Sequence, residues 1–202
     1  MIKKIFKKLP CGNSNYESVR TENYAYVDKT RFIELLEGES NKNHFFIRPR
    51  KFGKSLFLSV LSHYYDIRSA SKFEQLFGDL YIGKHPTPRK NSYTVMNFNF
   101  SGINTSSEEE FKKSFSWKVQ ETVLTFIAAY RNHFSESDSM RQRIISESPG
   151  LGALNVALGI SELSQTKLFV IIDEYDHFAN DLIAMGSHRG KDFYRNMVNA
   201  NG

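Results

Sequence analysis

The chain is poor in cysteine and in long apolar runs, and each deficit excludes a class of protein. Its 202 residues contain one cysteine, Cys11, so no disulfide can form within the chain and a reducing compartment is expected. No cluster of cysteine and histidine has the spacing of a structural zinc site. No apolar run approaches the length of a membrane span, and the basic residues 1–8 hold too short an apolar stretch for a signal peptide. These absences together predict a cytoplasmic protein.

The composition is that of an ordinary globular domain. Hydrophobic residues make up 40% of the chain, and its length suffices for one domain with a hydrophobic core, predicted to span residues 1–202. The net charge of +5 suits a phosphate-bearing ligand. By itself this charge is too small to indicate nucleic-acid binding.

A strand, a tight loop and a helix are predicted in succession near residue 50. Residues 44–47 are mainly apolar, and Pro49 favours extended backbone before it and ends a strand. Gly53 permits a turn that other residues resist. Apolar residues with helical spacing then begin at Leu56. This order of elements is the context in which phosphate-binding loops occur.

The residues between the strand and the helix carry the second half of a phosphate-loop motif. Gly53, Lys54 and Ser55 precede the predicted helix, whose N-terminus would present N–H groups and the positive end of its dipole to a phosphate. Lys54 would contact the β- and γ-phosphates, and the Ser55 hydroxyl would bind Mg²⁺. The generic motif has a glycine where this chain has Arg48, so the match is partial. A Gly-Lys-Ser triplet by itself is also typical of an ordinary turn.

A second pattern is an apolar strand that ends in two acids. Residues 168–172 are all apolar, as in a strand covered on both faces, and Asp173 and Glu174 follow directly. In P-loop NTPases an aspartate at such a strand tip holds Mg²⁺. A glutamate after it is the candidate to polarise the attacking water. An acidic pair is also typical of a solvated turn, but the order of both patterns on one chain favours a nucleotide hydrolase.

Other periodicities predict alternating helices and strands. The predicted elements are a loop at 10–18, a helix at 30–37 with Asp28 as N-cap, a strand at 93–100, a helix after Ser107 with a capping box to Glu110, and helices at 140–145 and 151–163. Trp117 lies outside the apolar stripe of the helix after Ser107. Its position favours a core or interface role over ligand stacking.

Three separated motifs resemble those of the bacterial AAA-ATPase-like family. They are YVDKT at 26–30, PRKFGKS at 49–55 and IIDEYDHFAND at 171–181. The family's loop has the form RPRxFGKS, with an arginine at the position of Arg48. The first glycine of the generic phosphate-loop motif is therefore absent from the family's loop as well. The resemblance covers nearly the whole chain. It implies an α/β fold, a three-layer P-loop NTPase-like parallel sheet with helices on both faces.

The resemblance also implies a role for each matched position, with ATP and Mg²⁺ as cofactors. The implied nucleotide-binding residues are Arg48, Pro49, Arg50, Lys51, Phe52, Gly53, Lys54, Ser55 and Leu56. Ser55 and Asp173 look like the Mg²⁺ ligands, and Glu174 looks like the catalytic base. Asp176 belongs to the family's acidic motif, and His177 beside it is expected to orient or pack rather than catalyse.

The end of the chain predicts that the fold is incomplete. The resemblance implies a further strand that starts just after Asn199, whereas the chain ends at Gly202. We therefore expect the C-terminal strands, with their sensor residue and any arginine finger, to be missing, as in a fragment of a longer protein. A short module in which the two remaining strands pair directly is the alternative.

A second function stays open at this point. The same truncation and the basic charge are compatible with a catalytically inactive interaction or nucleic-acid-binding module on a decayed ATPase scaffold. In the complete protein, a nucleic acid or protein partner would bind through the missing C-terminal part.

Overall fold

The structure is a mixed α/β fold in two compact units. The computed structural model describes residues 7–40, 43–47, 49, 51–134, 137–146, 151–163 and 166–175. The two units are Met1–Thr94 and Val95–Gly202. Within the described residues the strands form one two-stranded parallel sheet, so the predicted three-layer sheet is confirmed only as a mixed α/β arrangement. No helix in this described part is long and apolar enough to cross a bilayer.

The first unit is a set of short helices around buried aromatic rings. Tyr16 is fully buried, and its hydroxyl donates to the Leu76 carbonyl at 2.6 Å. The Tyr16 ring lies 5.1 Å from that of Phe77, and its N–H donates to the Ser59 hydroxyl at 3.0 Å. The helices are α1 (Tyr16–Thr21), α2 (Arg31–Gly38), α3 (Lys54–Tyr65), α4 (Phe73–Phe77) and α5 (Tyr81–Lys84), with a 3₁₀ helix at Ile67–Lys72.

The segment at residues 26–30 joins the start of α2 to the start of α5. The Asp28 carboxylate accepts hydrogen bonds from the N–H groups of Thr30 and Tyr81, both at 2.8 Å. The Thr30 hydroxyl donates to Asp28 at 2.7 Å and accepts from the Ile82 N–H at 3.1 Å. Thr30 is the N-cap residue of α2, so the prediction of Asp28 as N-cap is wrong by two positions. The carboxylate serves two helix starts because the chain folds back over it.

The second unit packs three helices with the sheet. Its elements are β1 (Tyr93–Asn99), α6 (Glu108–Ala129), a 3₁₀ helix at Arg131–His133, α7 (Ser137–Ser146), α8 (Leu151–Leu163) and β2 (Lys167–Asp173). The Ser107 hydroxyl accepts from the Glu110 N–H at 3.2 Å, which is the predicted cap of α6. The Tyr130 hydroxyl accepts from the Val95 N–H at 2.8 Å. Side chains of α6 that form the core are Phe111, Val119, Val123, Phe126 and Ile127.

The predicted strand at 44–47 is wrong, because the structure assigns no strand there. Phe45 is 70% exposed and Ile47 is 81% exposed, so these two side chains are not covered as those of a buried strand would be. Only Phe46 is partly covered, and its ring lies 5.5 Å from that of Phe57 on α3.

Helix starts also differ from the predictions, and α7 begins at Ser137, three residues before the predicted start at 140. α1 begins at Tyr16 within the predicted loop at 10–18, because the Asn15 side chain caps it by accepting from the Ser18 N–H at 3.0 Å. α3 begins at Lys54, two residues before Leu56. Lys54 and Ser55 are therefore helical and not part of the preceding loop.

Candidate nucleotide-binding site

The loop before α3 is turned by two residues in the left-handed region. Lys51 has φ 67° and Gly53 has φ 78°. The turn is closed by a hydrogen bond from the Phe52 N–H to the Pro49 carbonyl at 3.3 Å. A Cβ at Gly53 would meet no atom within 4 Å, so the backbone conformation and not a lack of space favours glycine here. In many proteins, successive backbone N–H groups in such a turn form a concave anion-binding site.

The first turn of α3 follows this loop without a break. The Gly53 carbonyl accepts the first helical hydrogen bond, from the Phe57 N–H at 2.9 Å. Gly53 is the N-cap, and within the described part of the chain no side chain caps the helix. Lys54, Ser55 and Leu56 are half-buried in this first turn, whereas the loop itself is exposed. The positive end of the helix dipole thus lies beside a lysine and a serine hydroxyl, a combination that suits a phosphate.

The acidic tip lies at the end of β2. The Asp173 carbonyl accepts from the Phe100 N–H at 3.1 Å, which ties the tip to the chain just after β1. The Asp173 carboxylate accepts from the Glu174 N–H at 2.9 Å. Glu174 has φ 55°, a left-handed conformation that is uncommon outside glycine, asparagine and aspartate. This turn directs the chain away from the strand direction immediately after the aspartate.

Burial of β2 differs from the prediction of a strand covered on both faces. Ile171 is buried, but its neighbours Val170 and Ile172 are 43% and 46% exposed. Side chains alternate between the two faces of a strand, so one face of β2 is packed and the other is substantially open.

That the phosphate-loop residues and the acidic strand tip form one site remains a prediction. Lys54 and Ser55 belong to the first compact unit, whereas Asp173 and Glu174 belong to the second. Arg48, Arg50, Asp176 and His177 lie outside the described residues. Among the described side chains, no three of the His, Cys, Asp and Glu type cluster as metal ligands. A nucleotide-bound Mg²⁺ does not require such a cluster, because it takes one or two protein ligands together with phosphates and waters.

One residue carries a role that the sequence analysis did not predict. Asp28, within the motif at 26–30, connects two helices as described above. Burial acts to raise the pKa of the Asp28 carboxyl, but the hydrogen bonds from Tyr81 and Thr30 outweigh it and hold that pKa below its ordinary value. The motif was visible in the sequence, whereas the partner 53 residues away at Tyr81 was not.

Comparison with known proteins confirms the resemblance to the AAA-ATPase-like family. The chain matches the AAA-ATPase-like family model, described as "Predicted AAA-ATPase", over residues 10–200. A curated relative from Azotobacter chroococcum mcd 1, described as an uncharacterized protein in the vnfD 5′ region, is 47% identical over 58 residues. The match covers 28% of this chain and 11% of that relative. No solved structure matches the chain.

Proposed function

Because the chain belongs to the AAA-ATPase-like family, which indicates a nucleotide-binding ATPase domain, we propose that it binds ATP with Mg²⁺ and hydrolyses it. The observation that carries the proposal is the start of α3. The helix begins at Lys54 directly after the left-handed Gly53, and no side chain among the described residues caps it. The phosphates of ATP would lie at this helix start, within the nucleotide-binding stretch 48–56.

Lys54, Ser55, Asp173 and Glu174 each have a chemical task in the proposal. Lys54 neutralises charge on the β- and γ-phosphates, and the loop N–H groups orient them. Ser55 and Asp173 hold Mg²⁺, and both offer the oxygen ligands that this ion prefers. Bound Mg²⁺ supplies neutralisation of the charge that develops on the phosphates. Glu174 accepts a hydrogen bond from the attacking water and orients it towards the γ-phosphate.

The test is calorimetric titration of the chain with ATP in excess Mg²⁺. The wild type should show saturable binding, and Lys54→Ala should weaken it at least about tenfold, because a charge-assisted contact to phosphate is lost. Lys84→Ala is the matched control, since Lys84 is an exposed lysine at the end of α5, outside the loop. Two results would refute the proposed site: no binding of millimolar ATP by the wild type, or equal affinities of the wild type and Lys54→Ala for ATP.

The same titration tests whether Glu174 contributes to ATP binding itself. Glu174→Gln should keep the wild-type affinity for ATP, because its proposed task begins only when water attacks. If the wild type ignores ATP but shifts a nucleic-acid probe in a salt-dependent manner, the inactive interaction module is the better description.

A further inference from the structure

The solvent-facing side of α6 carries the tryptophan of the chain in an exposed position. Trp117 is 62% exposed, so the predicted core role is wrong and the interface role remains. Phe126, nine residues later and therefore half a helical turn away in angle, is buried in the core of the unit. A single exposed apolar side chain is ordinary. Trp117 differs from such a side chain in the charged residues that flank it.

The charges around Trp117 are arranged symmetrically with opposite sign. Lys113 lies four residues before Trp117, and Glu121 lies four residues after it. Lys113 makes no ion pair with any of the described residues, and Glu121 contacts only the exposed Lys118, at 3.2 Å on its own helix. All three central residues line one groove of about 690 Å³, together with the half-buried Leu124.

Two copies of this surface are complementary to each other. In an isologous antiparallel pair centred on Trp117, the residue four positions before the centre meets the residue four positions after it on the other copy. Lys113 of each copy would then face Glu121 of the other. The residues 113, 117 and 121 form an i±4 row, and two such rows run parallel when helices cross at about −50°, the commonest packing angle.

We propose that this α6 surface, Lys113–Trp117–Glu121, is a homodimer interface in which α6 packs antiparallel against α6 of a second copy. The two indole rings meet at the centre, and two Lys113–Glu121 ion pairs flank them. A second copy is favoured over a partner of one charge sign, because such a partner would meet repulsion at one end of the row. Aromatic side chains at the centre of an interface contribute much of its binding energy.

Sedimentation equilibrium of the whole chain without nucleotide tests the interface. The wild type should dimerise, and Trp117→Ala should weaken dimerisation at least about tenfold. Lys113→Glu and Glu121→Lys should each weaken it, because each places like charges opposite each other. The double variant Lys113→Glu/Glu121→Lys should restore dimerisation, since the pairs reform with exchanged signs.

Lys112→Glu is the matched control, because Lys112 is an exposed lysine on another side of α6, paired with Glu108 at 2.6 Å. Lys112→Glu should give the same average molecular mass in sedimentation equilibrium as the wild type. Circular dichroism should confirm that all variants fold. The proposal would be overturned if the wild type stays monomeric even at 100 times the protein concentration used in the first sedimentation run. A dimer that is indifferent to Trp117→Ala, or a double variant as weak as the single ones, would overturn it as well.

Discussion

At the scale of single residues, Asp28 does more than its place in a short motif suggests. One carboxylate oxygen accepts from the Thr30 N–H and hydroxyl, and the other accepts from the Tyr81 N–H. Two backbone N–H groups at helix starts thereby gain an acceptor that the helices themselves cannot supply. The residue is therefore a structural clamp of the first unit.

Asp28→Ala should lower the free energy of unfolding at pH 7 by about 2 kcal/mol, because three hydrogen bonds to one carboxylate are lost. The pKa of Asp28 is held below its ordinary value of 3.8 in the folded chain. The unfolded chain therefore takes up the proton first as the pH falls, so the contribution is complete above that value and is lost as the pH falls through the folded pKa. The difference from wild type should shrink between pH 7 and pH 3 in urea titrations.

Glu39→Ala is the control for Asp28, because Glu39 is an exposed carboxylate just after α2 with no hydrogen bond in the described part of the chain. A loss in Asp28→Ala no larger than in Glu39→Ala, or a loss independent of pH, would contradict the clamp.

At the scale of elements, the C-terminal end of α3 is completed by Asn91, which lies 25 positions after the C-cap residue Asp66. The Asn91 side-chain amide donates to the carbonyls of Asp66 at 2.8 Å and Tyr64 at 3.2 Å, and its backbone N–H donates to Tyr64 at 2.9 Å. Asn91 has φ 47°, which asparagine tolerates better than most residues. The last carbonyls of a helix lack partners within it, so this residue satisfies them.

Substitutions at Asn91 should follow a fixed order of stability. Asn91→Gly loses the side-chain bonds, and Asn91→Ala in addition strains the left-handed backbone by about 1 kcal/mol. Asn91→Asp should be the most destabilising, because it turns negative oxygens towards carbonyls. Urea midpoints at pH 7 with unchanged slopes measure this order. An alanine variant as stable as the glycine variant would show that the backbone strain is absent.

At the scale of the whole molecule, the two residues proposed as Mg²⁺ ligands belong to different compact units. Ser55 lies in the first and Asp173 in the second. If Ser55 and Asp173 hold one Mg²⁺, a substitution at Asp173 must change how much bound ATP stabilises the folded chain. The linkage between binding and unfolding makes this measurable.

ATP with Mg²⁺ at about 100 times the dissociation constant should stabilise the folded chain by about 2.7 kcal/mol, which raises Tm by about 5–10 °C for a chain of this size. Lys54→Ala should cut this rise by about half or more, because affinity at least about tenfold weaker leaves ATP at no more than about ten times its dissociation constant. Asp173→Ala should remove only the part that depends on Mg²⁺, seen by comparing ATP with Mg²⁺ and ATP with EDTA. An Asp173→Ala variant whose Tm rise still depends fully on Mg²⁺ would show that the second unit does not contribute to the metal site.

The sequence alone determined the features that depend on neighbours along the chain. The strand that ends at Asp173, the helix that Ser107 caps and the glycine-lysine-serine run at a helix start all follow from local periodicity and capping. These signals lie within a few residues of the elements that they specify.

Only the tertiary structure decided what depends on residues that are distant in the sequence. The segment 44–47 has the composition of a strand, but Phe45 and Ile47 are exposed in the folded chain, and a strand of this composition also needs a surface to cover its side chains. Asp28 reaches Tyr81, Asn91 completes α3, and Trp117 faces solvent because of where the chain folds back on itself. Long-range contacts leave no periodic trace in one sequence, and these roles therefore become visible only when the chain is folded.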